Sequence, residues 1–267
     1  MSDATETIVD PHLLRPLVAG CGETGAAILA CYARMGTECG AHDPPKGSHA
    51  VFASYGVVHV CTPASAVPEV VRLCRPDALV IVHASTTPGT CAALGHANLV
   101  HAPIEGRHPM LSEYLLRWAM PVSGPPAAVA AAILQLRRAA IPAMPWPGPH
   151  AVTELAKHCS TLRLGIDVLF MRAVHDACRD LGLDFQLVYR EWTRAYNTVY
   201  APDGLERAVL TPTAGPLGGR CLTANAKALA SSPASRTALG DWIGKILLHA
   251  DAPWNLAAMT RAPGSPA

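Results

Sequence analysis

Apolar positions follow two rhythms along this chain, and a Pro/Gly-rich break at residues 143–150 (AMPWPGPH) separates them. Before the break, short apolar runs bounded by turn residues alternate with Ala-rich segments of helical spacing. The runs LVAG from Leu17, VVHV from Val57, ALVIV from Ala78 and NLVH from Asn98 read as buried strands, with shorter ones at ECGAHDP and WAMPVSG. GAAILACYARMG, SAVPEVVRLC and AAVAAAILQLRRAA read as the helices between them. Strand and helix in alternation predict a parallel sheet with crossover helices. After the break only the helical period recurs: one long helix over 151–182, stopped by Gly182, and a second over 183–201. The expected fold is therefore α/β, an N-terminal Rossmann-like parallel sheet over 1–148 followed by an all-helical C-terminal domain over 149–267.

Composition removes several function classes. Lys plus Arg number 21 and Asp plus Glu 20, so neither a nucleic-acid footprint nor a polybasic membrane patch is expected. No long uninterrupted apolar span occurs, and the polar, acidic N-terminus lacks the basic-then-apolar order of a signal peptide. A cytoplasmic protein acting on a small molecule is the expectation. The nine cysteines form no CxxC pair and no zinc-type spacing, so reduced thiols and no metal site are expected. The tail from Arg261, rich in Pro, Gly and Ser, reads as frayed.

Candidate chemistry begins at the first strand. Gly20, Gly22 and Gly25 fall in GxGxxG spacing, with Cys21, Glu23 and Thr24 between them, directly after an apolar strand and ahead of a helix. The first glycine permits the turn, the second admits a pyrophosphate to the backbone, and the third lets helix and strand pack closely. Asp43, at the end of the next strand, suits the two ribose hydroxyls of NAD and would repel a 2′-phosphate. S-adenosylmethionine makes the same demand on such an acid, so a methyltransferase with His101, His108 or Glu105 as base stands as an alternative. A nucleotide-sensing or partner-binding module is a third.

Ligands of open parallel sheets sit outside the carboxyl ends of the strands. Thr62 and Pro63, then Ser85 and Thr86, occupy such ends, although Thr86 would equally serve as a helix cap. His101, Glu105, Arg107 and His108 crowd the end of a further strand and read as a polar substrate-binding loop, with an ordinary solvated loop as the other reading. Lys157 and Thr161 lie one turn apart on the long helix. In GPLGGRCLTAN the glycines at 215, 218 and 219 allow positive φ and close approach, and Cys221 stands between the double glycine and a polar turn.

These motifs together resemble the UDP-glucose/GDP-mannose dehydrogenase family of the 6-phosphogluconate dehydrogenase-like superfamily. TELAKHCST, from Thr153 to Thr161, is similar to the family's ELxKxxxN, which implies a catalytic lysine at Lys157. GPLGGRCLTAN is similar to GxGGxCxxKD and implies a catalytic cysteine at Cys221. PIEG resembles the family's glutamate-bearing stretch and places its carboxylate at Glu105, while Ser85 and Thr86 resemble its strand-end pair. Oxidation through a cysteine-bound aldehyde, with NAD as cofactor and a homodimer built on the long helix, is what the resemblance implies. This chain departs from the pattern at Thr161, where the family has asparagine, and at Ala224 and Asn225, where it has lysine and aspartate. The family's third, UDP-binding domain has no counterpart in the chain, so a small polar molecule is the expected substrate.

Overall fold

The computed structural model describes residues 15–217, 219–250 and 254. Gly218, the acidic N-terminal run and the tail from Arg261 lie outside the described residues. The elements run β1 (Pro16–Ala19), α1 (Glu23–Arg34), β2 (Gly40–His42), β3 (Val57–Val60), α2 (Val67–Leu73), β4 (Leu79–Val82), α3 (Thr90–Ala93), β5 (Leu99–His101), α4 (Leu111–Leu115), β6 (Met120–Val122), α5 (Pro126–Arg138), β7 (Ala143–Pro145), α6 (His150–Leu181), α7 (Trp192–Tyr200), α8 (Arg220–Ala230) and α9 (Leu239–Ala250). The chain divides into two compact units between Lys157 and His158, within α6.

In the first unit five parallel strands lie in the order β2-β1-β3-β4-β5. The order reverses at β1 and β3, the crevice where this architecture takes its ligands. Alternate strand residues enter two separate cores. Val18, Ile81 and Val100 face α1 and α5, while Leu17, Val58, Val60, Val80 and Val82 face the other side with α2. Burial on both faces is why the strands read as continuous apolar runs rather than alternating ones. α1 fits because Gly25, Ala27, Ile28, Cys31 and Tyr32 put its buried stripe at helical spacing.

The break at 143–150 is not all loop: Ala143–Pro145 form β7, which pairs in parallel with β6. Ser123 then joins that pair to His101 of β5 by an antiparallel bridge.

The second unit is helical. One core gathers Leu162, Leu217, Leu222, Ala226, Leu229, Ile243 and Ile246 from α6, α8 and α9, and another gathers Met171, Cys178, Phe185 and Tyr189. Gly182, at φ 67, ends α6 in the left-handed conformation that glycine adopts without strain. The segment expected as one helix over 183–201 opens instead with a π-helical turn at Gln186–Glu191 before α7. The polar turn expected after Cys221 is the body of α8, where Leu, Ala and Lys, good helix formers, outnumber Thr223 and Asn225. Among the described residues no helix is long and apolar enough to cross a membrane.

Candidate active site

The turn between β1 and α1 is built around its glycines. Gly20 takes φ +89, and a Cβ there would stand 2.9 Å from the Cys61 carbonyl. At Gly25 a Cβ would fall 1.9 Å from the Gly20 oxygen, so helix and strand approach as closely as only glycine permits. Gly22 faces open space. Asp43, just past β2, accepts the Cys21 N–H on Oδ2 at 2.7 Å, and Lys46 Nζ holds the Cys21 carbonyl from the other side. Both ends of the Cys21 peptide are thus pinned.

Thr62 Oγ1, at the end of β3, is buried with no hydrogen-bond partner among the described residues. A buried hydroxyl without a partner is costly, and one at a strand end beside the glycine turn fits a ligand's polar group. Pro63 follows it on the surface. The open space at Gly22, the close packing at Gly25 and the free Thr62 hydroxyl together suit a dinucleotide.

The next ring of the site is organised by the first two turns of α6. His150, Thr153, Glu154 and Lys157 leave the helix at spacings that bring them to one side. Glu154 is completely buried and accepts three hydrogen bonds, from Thr86 Oγ1 at 2.9 Å, Gly89 N–H at 2.6 Å and Cys91 N–H at 2.9 Å. Thr86 is itself fully buried, so the expectation that it faces a cofactor is corrected: its hydroxyl anchors the loop after β4 to α6. Ser85, one residue earlier, stays partly exposed. Glu154 escaped the sequence reading, though it stands three residues before Lys157 in the stretch that signalled the lysine.

His101 is likewise corrected. It is the last residue of β5, fully buried, and not part of the polar loop. Its Nε2–H donates to the Ala84 carbonyl at 3.1 Å, which leaves Nδ1 to accept from Thr153 Oγ1 at 2.8 Å. With both nitrogens occupied inside the fold, it has none for a substrate. Burial drives its pKa down to about 4, so it is neutral at pH 7.

His83, one residue past β4, mirrors it. Its Nδ1–H donates to the Ala102 carbonyl at 2.6 Å, and its Nε2 accepts from His59 Nδ1–H at 2.9 Å. His59 Nε2 in turn accepts from the Tyr32 hydroxyl at 2.8 Å, and that oxygen accepts from Gln135 Nε2 at 3.0 Å. One carbonyl at the end of the row therefore fixes every tautomer in it. His83 reaches the residue after β5 while His101 reaches a residue after β4, so the two loops are tied crosswise at their bases.

The loop after β5 carries the other candidates. Glu105 Oε2 lies 3.0 Å from Lys157 Nζ, with the two side chains 35% and 14% exposed. This ion pair brings together two residues 52 apart in sequence that were singled out separately. Arg107 is exposed, and His108 reaches back to Glu23 at the start of α1. Thr24 beside it is only partly covered.

No protein-family model matches the chain, and no curated protein matches it either. Solved structures do. Over 89% of this chain and 68% of the other, at 15% identity, it superposes on the UDP-D-ManNAc dehydrogenase of Pyrococcus horikoshii with a TM-score of 0.70. The 3-hydroxyisobutyrate dehydrogenase of Mycobacterium tuberculosis gives 0.63 over 90% of this chain and 96% of that one, at 17% identity. Psf3, solved in complex with NADP+ and 2-OPP, gives 0.59 over 87% and 92%, at 15% identity. The chain has the dehydrogenase fold. It is a Rossmann-type parallel sheet with a helical domain, shared with both UDP-sugar and 3-hydroxyisobutyrate dehydrogenases. Nothing among these neighbours supports the S-adenosylmethionine alternative.

Three expected site residues of this dehydrogenase-like fold belong to the helical unit. Cys221 is exposed in the first turn of α8, and among the described residues its thiol makes no hydrogen bond. One turn further on, Asn225 is buried and donates from Nδ2 to Thr161 Oγ1 at 2.8 Å. Elsewhere the half-buried Cys61 and the buried Cys91 thiols are pushed up by desolvation and stay protonated.

Proposed function

We propose that the protein is a nicotinamide-dependent oxidoreductase that oxidises a small polar alcohol. The observation that carries this reading is the Lys157–Glu105 pair, 3.0 Å apart beside the strand ends of a dinucleotide-type sheet. A bound nicotinamide supplies the hydride acceptor. Glu105 takes the hydroxyl proton, and the Lys157 ammonium stabilises negative charge on the substrate oxygen. The contact holds both groups at one place, so that proton acceptor and oxyanion partner can reach the same substrate oxygen.

Asp43 supports NAD over NADP, because its carboxylate would meet a 2′-phosphate as a like charge. The glycine turn with Cys21 and Thr24 holds the diphosphate, Thr62, Pro63 and Ser85 line the nicotinamide side, and Arg107 binds a polar substrate group. Cys221 is assigned the capture of an aldehyde, with Thr161 and Asn225 as neutral hydrogen-bonding neighbours in place of ionisable ones. A homodimer through α6 belongs to the same reading.

Calorimetry with NAD+, NADP+ and S-adenosylmethionine tests it. NAD+ is expected to bind in the micromolar range, NADP+ more weakly and S-adenosylmethionine not at all. The reading is lost if saturating NAD+ and NADP+ both leave binding heat and melting temperature unchanged.

A further inference from the structure

Glu23 stands at the N-terminal end of α1, beside the glycine turn. It is the first residue of α1, with Gly22 as N-cap, and its side chain is 47% exposed. Helical Cα–Cβ bonds tilt toward the N-terminus, so an acid at this position carries its carboxylate ahead of the unpaired N–H groups. Those groups and the positive end of the helix dipole are what a dinucleotide diphosphate uses. Glu23 therefore satisfies the isolated helix and competes with the ligand.

His108 bears on that competition. It comes from the loop after β5, and its Nδ1 contacts Glu23 Oε1. The loop's continuation is seated on the same helix, since Cys31 of α1 donates its thiol to the Ser112 carbonyl of α4 at 3.8 Å. Lys46, also beside the turn, is engaged with the Cys21 carbonyl. Among the described residues His108 is thus the group that contacts the Glu23 carboxylate.

We propose that His108 gates the dinucleotide site by drawing the Glu23 carboxylate off the diphosphate position at the N-terminus of α1. The inference rests on the dinucleotide reading above and adds to it a pair that sets cofactor affinity. Without His108 the carboxylate turns to the helix N–H groups and repels the diphosphate. Without Glu23 the histidine has nothing to hold, and affinity no longer depends on it.

Calorimetric titration of NAD+ into the full-length protein tests this as a double-mutant cycle. Glu23→Gln is expected to tighten binding about fivefold, and His108→Ala to weaken it about fivefold, from the worth of a charge at a helix end. In the Glu23→Gln background, His108→Ala is expected to change nothing. His108→Gln, which keeps a donor, should retain most of the wild-type affinity, and melting curves check that each variant is folded. An unchanged affinity in His108→Ala, or an effect that persists without Glu23, overturns the gate. If NAD+ and NADP+ bind neither the wild type nor Glu23→Gln, the dinucleotide reading fails and takes the gate with it.

Discussion

Asn225 donates its carboxamide N–H to the Thr161 hydroxyl at 2.8 Å, so two positions that depart from the dehydrogenase motif depart as a hydrogen-bonded pair. The bond lies in the helical unit, with Asn225 almost completely buried. Truncating Thr161 removes the acceptor of the buried Asn225 amide, and truncating Asn225 removes the same bond from the donor side. Asn225→Ala and Thr161→Val should each cost about 1–2 kcal/mol, with a coupling of about 1 kcal/mol in the double mutant, read from urea melts.

Glu154 should be the most sensitive polar position in the first unit. Glu154→Ala removes the acceptor of the Gly89 and Cys91 amides and of the Thr86 hydroxyl together. A loss of about 3–5 kcal/mol is expected, with faster amide exchange across 86–91. Unchanged protection of those amides would contradict the anchoring role.

The glycine turn separates folding from binding. Gly25→Ala forces a methyl group to within 1.9 Å of the Gly20 oxygen and should lower the melting temperature sharply. Gly22→Ala meets no atom within 4 Å and should melt like wild type. On the proposed dinucleotide reading its methyl group stands where the diphosphate approaches, so NAD+ affinity should fall by about tenfold or more in calorimetry.

Acid should weaken the fold through its buried histidines. Burial holds His83 at about 4, against 6.5 in the unfolded chain, and lowers His59 and His101 in the same direction. Because the folded values are depressed, the stabilisation is complete above pH 6.5 and is lost as pH falls toward 4. His83 and His101, both held at about 4, should each remove about 2 kcal/mol by pH 5. Urea midpoints measured from pH 7.5 to 4.5 check the slope, and His83→Gln should flatten it.

The α6 face offers a test of self-association. Leu162 is 1% exposed and belongs to its own unit's core. Phe170, Leu164 and Leu248 remain exposed, and Phe170 lines a groove with Ile166, Trp242 and Leu248. If this face joins a homodimer, Phe170→Glu should shift sedimentation from dimer to monomer with little change in melting of the monomeric unit. A wild-type monomer at all concentrations would remove the dimer.

What could be read in the sequence was what is encoded locally. The β1–α1 turn is specified by its own glycines, α6 by its period and Gly182, and Lys157 by a motif within one helix. The contacts that give these residues meaning join distant parts of the chain. Glu105 meets Lys157, Glu154 meets Gly89 and Thr86 meets α6 only after β4, β5 and α6 have assembled. His101 misled for a related reason: a histidine after two apolar residues reads as the start of a polar loop unless the Thr153 and Ala84 groups that complete it are in view. The stretch after Cys221 read as a turn because the double glycine before it outweighed the helix formers behind it.

The crosswise reach of His83 and His101 has a consequence for alignment during folding. β4 and β5 are short runs of valine, leucine and isoleucine, and such parallel neighbours are nearly as well packed when shifted by two residues. In the observed register Val82 lies opposite His101, and each imidazole meets a carbonyl on the neighbouring segment. Any shift strands two buried rings without acceptors, a penalty far above the small packing difference between alignments. The histidines thus act as proofreading for the strand pair that carries Glu105, rejecting apolar matches that hydrophobicity alone would accept.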